Sequence, residues 1–173
     1  MAKDDKPDAV KLVIMNKLKE LIGETEDDAL AMASALSQQI QDGMLEVESA
    51  GRKIIIRVKE KGSFSSGSAT LNEDFLPTLA IIRQAIAGTP GVISIEGHTD
   101  SIPISTRSFG SNWALSSARA VSVAHGLFEG GQLIEGRYSV KGYAETSPLV
   151  DNDSSENRAR NRRVEIVVSQ GLD

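Results

Sequence analysis

From residue 52 onward the apolar residues switch repeatedly between two periods, and this switching constrains the fold more than any other feature of the chain. Short runs with a period of two read as strands at 52–59, 92–96, 138–142 and 164–168. Between them, apolar residues recur every three or four positions. One helix starts at Thr70 or Asn72 and carries the stripe Phe75, Leu76, Leu79, Ile82 and Ile86; a second covers 112–129, with Leu115, Val121, Ala124, Leu127 and Phe128 as its buried face; a short third covers 154–161. The order β-α-β-α-β-α-β calls for helices packed on a sheet with some parallel pairing. In the first strand Ile54, Ile56 and Val58 face one way and Lys53, Ile55, Arg57 and Lys59 the other. A further strand at 44–48, joined to it through the turn Ser49-Ala50-Gly51, makes a hairpin-like start.

The segment before the hairpin reads as two amphipathic helices. After a polar stretch at 4–8, with Pro7 or Asp8 marking the start, residues 9–22 carry Val10, Val13, Ile14, Leu18, Leu21 and Ile22 at helical spacing, and Gly23 is the expected stop. Thr25 then caps a helix over 25–41, with Glu26, Asp27 and Asp28 in its first turn and Gly43 at its end. These stripes need a partner to bury them, so the front helices are expected to pack on the main domain. The chain accordingly divides into 1–50, linker helices with the first strand, and 51–173, the main domain.

Charge divides at the same place. Residues 1–50 carry eleven acids against five lysines, whereas 51–173 carry thirteen acids against fourteen bases and all the arginines, four of them within 158–163. A net charge of −5 argues against a general nucleic-acid binder. The absence of cysteine excludes a disulfide scaffold, thiol catalysis and cysteine-ligated metal, and the two histidines, His98 and His125, form no metal-ligand pattern. No apolar run reaches membrane-spanning length, and no secretory signal pattern opens the chain.

Three stretches carry the candidate chemistry. Asp100, in Gly97-His98-Thr99-Asp100-Ser101, follows a strand end; it either shapes the turn or presents a carboxylate where sites in helix-flanked sheets lie. Arg119, in Ser111-Asn112-Trp113-Ala114-Leu115-Ser116-Ser117-Ala118-Arg119-Ala120, is either a surface residue or reaches back along its helix toward Asp100. The arginines of 157–163 are either a solvated basic cap or a recogniser of anions. Asp100, Arg119 and one of those arginines together describe a pocket of both signs, suited to a zwitterion such as an amino acid. A hydrolytic site built on His98 and Asp100 is disfavoured, because side chains two residues apart at a strand end need not converge and no third zinc ligand is evident.

The blocks GHTDS, SNWALSSARA, KGYAETSP and NRARNRRVEI resemble the OmpA-like peptidoglycan-binding domain over residues 51–169, and the SNW-x-LS form with the longer loop 102–110 is similar to the B subunits of flagellar motor stators. The resemblance implies an α+β fold, helices on one mixed sheet, with the N-terminal helices preceding it. It also implies a non-enzymatic, cofactor-free anchor that binds the diaminopimelate residue of the peptidoglycan stem peptide through Asp100 and Arg119, with Asn112, Arg162 and Thr99 in the same groove. The loop 102–110, with Pro103, is placed to cover that groove or change its access. The implied setting is the periplasmic domain of an inner-membrane protein. The resemblance further implies a homodimer that meets the stator A subunit through a membrane helix absent from this sequence, with periplasmic flagellar ring proteins as further partners. A generic envelope protein linking a membrane to peptidoglycan is the alternative.

Overall fold

The computed structural model describes residues 8–172. Pro7 and the polar residues before it lie outside the described residues, and Asp8 caps the first helix by accepting a hydrogen bond from the Val10 amide at 3.3 Å. The elements run α1 (Ala9–Ala35), α2 (Ser37–Gln41), β1 (Leu45–Ala50), β2 (Lys53–Lys59), α3 (Leu76–Ala87), β3 (Val92–His98), α4 (Asn112–Phe128), β4 (Tyr138–Gly142), α5 (Ser155–Asn161) and β5 (Arg163–Ser169). The strands form one mixed sheet in the order β1-β2-β5-β3-β4, antiparallel except for the β3–β4 pair. This is the expected α+β architecture, helices on one mixed sheet.

The helices cover one face of the sheet. Ile54, Ile56 and Val58 of β2, Ile93 and Ile95 of β3, and Val164, Ile166 and Val168 of β5 point into the core, where they meet Leu79, Ile82 and Ile86 of α3 and Val123, Ala124 and Leu127 of α4. Ala29, Met32 and Leu36 from the end of α1 and the residue after it join the same cluster. The two-residue turn Gly51-Arg52, with Gly51 at φ +58°, closes the β1–β2 hairpin, so residues on both sides of position 50 share one sheet. The turn is shorter than the expected Ser49-Ala50-Gly51 because Ser49 and Ala50 pair with Ile54 and Lys53.

The front of the chain departs from the expected helix pair. Gly23 does not stop a helix: α1 runs through it as one 27-residue helix, and the break falls at Leu36, whose φ is −105°. A mid-helix glycine costs only about 1 kcal/mol, which the burial of Leu21, Thr25, Ala29 and Met32 along one face outweighs. Arg52 fastens the middle of this helix, donating to the Leu21 carbonyl at 2.6 Å and to Thr25 Oγ1 at 2.8 Å. The first turns of α1 project past the core, with Val10, Val13 and Ile14 exposed.

Three smaller departures bear on the site. β3 continues two residues beyond the expected end, taking His98 into the sheet. In α4, Val123 is buried and Val121 exposed, so the buried stripe is shifted from the expected one. Phe64 lies in the serine- and glycine-rich stretch 62–67, which reads in the sequence as a loop, yet it is buried and its segment bridges Leu71.

Candidate functional site

The position of α4 on the sheet sets the site. A Cβ on Gly97 of β3 would collide with the Ser116 backbone, and one on Gly142 of β4 with Ser117. Glycine at both positions therefore lets α4 lie directly against the strands. This brings the N-terminus of α4 beside the loop that leaves β3, with Ser111 capping the helix by accepting from the Ala114 amide at 3.2 Å.

The loop residues are held from both sides. The Thr99 amide donates to the carbonyl of Ala144 at 2.9 Å, and Ala144 itself, buried at φ +51°, has its amide held by Ser116 Oγ at 3.0 Å. Thr99 Oγ1 donates to the Asp100 carbonyl at 2.8 Å. Asn112 Nδ2 donates to the Ile102 carbonyl at 3.0 Å and lies 3.5 Å from the Asp100 carbonyl and from Glu145 Oε2. Thr99 and Asn112 thus fix the loop backbone rather than opening their polar atoms to solvent.

Asp100 performs both roles that its position allows. Its Oδ1 accepts from the Ile102 amide at 3.0 Å, shaping the turn, while Oδ2 accepts from Arg162 Nη1 at 2.8 Å. Arg162 stands between α5 and β5, and its Nε donates to Glu60 Oε1 at 3.0 Å. Burial works against its charge, but the bonds to Asp100 and Glu60 more than compensate, and its pKa is raised. These two side chains line a cavity of about 300 Å³ whose other walls include Ser66, Ile102, Pro103, Ile104 and Leu115. The loop 102–110 therefore supplies one wall of the cavity through its first three residues.

Arg119 is placed differently from the sequence expectation. Its guanidinium is directed at the 60–68 segment: Nη1 bonds Glu60 Oε2 at 2.6 Å, Nε donates to the Ser68 carbonyl at 2.7 Å and Nη2 to the Ser65 carbonyl at 3.2 Å. It also lies 5.0 Å from the centre of the Phe64 ring and is 2% exposed. Among the described residues, the side chains of Asp100 and Arg119 are linked through Arg162 and Glu60. Sequence reasoning missed Glu60, although it is the one acid between Glu48 and Glu73 and stands between Lys59 and Lys61 at a strand end.

The other arginines of the 158–163 run separate by environment. Arg163 is buried on the far face of the sheet, bonded to Glu165 at 3.0 Å, whereas Arg158 and Arg160 extend from the last turn of α5. His98 lies on that far face too, stacked on Tyr143 at 5.0 Å with its Nε2 3.8 Å from Glu165. It does not converge with Asp100, which removes the geometry a hydrolytic pair would need. Among the described residues no group of three His, Cys, Asp or Glu side chains is arranged to hold a metal.

The comparisons with known proteins agree with this architecture. Residues 63–162 match the OmpA family. Motility protein B of Bacillus subtilis (strain 168) is 37% identical over 125 residues, covering 72% of this chain and 48% of that protein, so the chain spans about half the length of this relative. A protein described as MotB-like from Desulfovibrio vulgaris superimposes with a TM-score of 0.81 at 30% identity, covering 89% of this chain and 99% of that one. The cell wall anchor of the T6SS from Pseudomonas aeruginosa superimposes with a TM-score of 0.75 at 36% identity, over 81% and 97% of the two chains. With more than half its length matched by the family model and its sheet, helices and loop order shared with these structures, the chain belongs to the OmpA family and is homologous to motility protein B.

Proposed function

We propose that this chain is a non-catalytic cell-wall anchor and that the Asp100–Arg162 cavity takes the diaminopimelate end of a peptidoglycan stem peptide. One observation carries the reading: a carboxylate and a guanidinium face the same cavity, beside an apolar wall of Ile102, Pro103, Ile104 and Leu115. The side-chain end of diaminopimelate is an ammonium and a carboxylate on a methylene chain. Asp100 would accept from the ammonium, Arg162 would donate to the carboxylate, and the apolar wall would cover the methylenes. Each charge-assisted hydrogen bond contributes about 1.5–3 kcal/mol, and a ligand lacking one charge leaves its partner unmatched.

In this reading Thr99 and Asn112 hold the loop, and Arg119 acts from behind. It fixes Glu60, which in turn aims Arg162. The names of the relatives, motility protein B and a cell wall anchor, favour a load-bearing attachment. The finer assignment is the periplasmic region of a flagellar stator B subunit, acting as a homodimer with a stator A subunit and periplasmic flagellar ring proteins. The similarity to a secretion-system anchor supports a second reading, an envelope anchor serving another machine.

Co-sedimentation with purified sacculi tests the binding claim. Asp100→Asn and Arg162→Ala should each leave most of the protein in the supernatant with an unchanged circular dichroism spectrum; pelleting at the wild-type level in both would overturn the site. Muropeptides released into the supernatant would contradict the non-enzymatic reading. Introducing Asp100→Asn into the chromosomal gene and scoring swimming separates the stator from the other anchors.

A further inference from the structure

The Arg162 guanidinium is only partly committed. Nη1 and Nε are bonded to Asp100 and Glu60, but Nη2 has no partner among the described residues and is not sealed from solvent. Arg162 also borders a second cavity, of about 510 Å³, which Glu60 lines with it. Lys61 and Arg160 line it, and neither makes an ion pair or hydrogen bond with a described side chain. Lys59 lines it too, but its ammonium is 3.5 Å from Glu46 on the sheet's far face. Of the two carboxylates at this cavity, Glu60 is already shared by Arg119 and Arg162, which leaves Glu156 as the one unpaired acid. On a chain of net charge −5, a cavity with Lys61, Arg160 and a free guanidinium edge against one acid is a local reversal of sign.

We propose that this cavity is a second, anion-binding subsite that takes another carboxylate of the same peptide ligand. The inference rests on the Asp100–Arg162 reading, because Arg162 borders both cavities and so joins them into one surface. A stem peptide with a free carboxylate on the residue before diaminopimelate presents two anions along one backbone. The zwitterionic end enters the first cavity, and the preceding carboxylate meets Lys61, Arg160 and the open Nη2 of Arg162. Glu156 opposes that carboxylate by like-charge repulsion, and the whole subsite weakens with salt, since its cations are exposed. A ligand whose second carboxylate is amidated would lose this contact alone.

Calorimetric titration with three probes tests the proposal: meso-diaminopimelate, the tripeptide L-Ala-γ-D-Glu-meso-diaminopimelate, and the same tripeptide with the glutamate α-carboxylate amidated. The acid tripeptide should bind wild-type protein about tenfold more tightly than the amide, the scale of one charge-assisted contact. Removing Lys61 and Arg160 together (Lys61→Ala with Arg160→Ala) should shrink that difference to what the Arg162 contact alone supplies while leaving diaminopimelate binding unchanged, and an undiminished difference would overturn the subsite. Glu156→Gln should tighten the acid tripeptide and not the amide, a gain that impaired folding cannot mimic. Equal binding of the two tripeptides to wild type would overturn the subsite while loss of both in Asp100→Asn upheld the first cavity. No binding of any probe would overturn both.

Discussion

Glu60 stands between Arg119 and Arg162, its Oε2 2.6 Å from Nη1 of the first and its Oε1 3.0 Å from Nε of the second. The buried guanidinium and the cavity-facing one are thus two ends of a single carboxylate bridge, which continues from Arg162 to Asp100. Glu60→Ala would leave Arg119 buried without its counter-charge, and removing one partner of a buried pair costs about 3–5 kcal/mol. Urea unfolding should show a loss of that order. Glu60→Gln, which retains an acceptor, should lose less and should still weaken wall binding, because Arg162 is no longer aimed. Wild-type stability in Glu60→Ala would refute the bridge.

Arg119→Lys offers a separate test of the positioning role. Lysine keeps the charge but cannot bond Glu60, the Ser65 carbonyl and the Ser68 carbonyl in one planar fork. Amide hydrogen exchange should speed up in the 62–70 segment while the rest of the sheet keeps its protection. Protection unchanged in that segment would mean the fork does not hold it.

At Gly97, alanine should act through packing alone. The added methyl would meet the Ser116 backbone, which cannot rotate aside, so α4 must lift from β3. Overpacking of this kind costs about 1–3 kcal/mol. Both the urea midpoint and sacculus binding should fall together, since α4 carries Asn112 to the loop. A midpoint equal to wild type would show that the helix tolerates the displacement.

His98 links stability to pH. Burial first, and then the Arg163 and Arg57 guanidiniums, lower its pKa from 6.5 to about 3. Between those values the unfolded chain binds a proton that the native imidazole refuses. Stability contributed by this group is therefore complete above the unfolded value and is lost as pH falls toward 3, with a slope of at most about 1.4 kcal/mol per pH unit. His98→Phe, which keeps a ring to stack on Tyr143, should flatten that part of the acid limb. Parallel pH profiles for the two proteins would exclude the assignment.

Gly23→Ala should stabilise the protein by about 0.5–1 kcal/mol. The position lies inside α1, a Cβ there meets nothing within 4 Å, and its backbone is not left-handed. A lowered melting temperature would show that the helix bends at this residue in solution.

The strand and helix periods were legible in the chain itself: Ile54, Ile56 and Val58 announce a strand with one buried face, and β4 and the start of α4 lie where local pattern puts them. Those are short-range properties, decided by side-chain alternation and by capping hydrogen bonds between near neighbours. The continuity of α1 through Gly23 was not legible, because the burial that outweighs a glycine comes from separate elements, β1, β2 and α3, while Thr25 Oγ1 donates to Gln170 at the far end of the chain.

The same division runs through the site. Asp100 could be picked out in the sequence by residue type and by its place at a strand end, whereas Arg162, Asn112 and Thr99 were singled out by the resemblance to the OmpA-like domain. Which arginine faces the cavity and which lies behind it depended on Glu60, more than fifty residues from Arg119 and about a hundred from Arg162. A charged side chain settles where its counter-charge is held, and only the folding of β2 against β5 brings that carboxylate between the two guanidiniums. Local pattern thus determined the elements and the candidate side chains. The tertiary structure decided their partners, because electrostatic pairing depends on distance in space and not on separation along the chain.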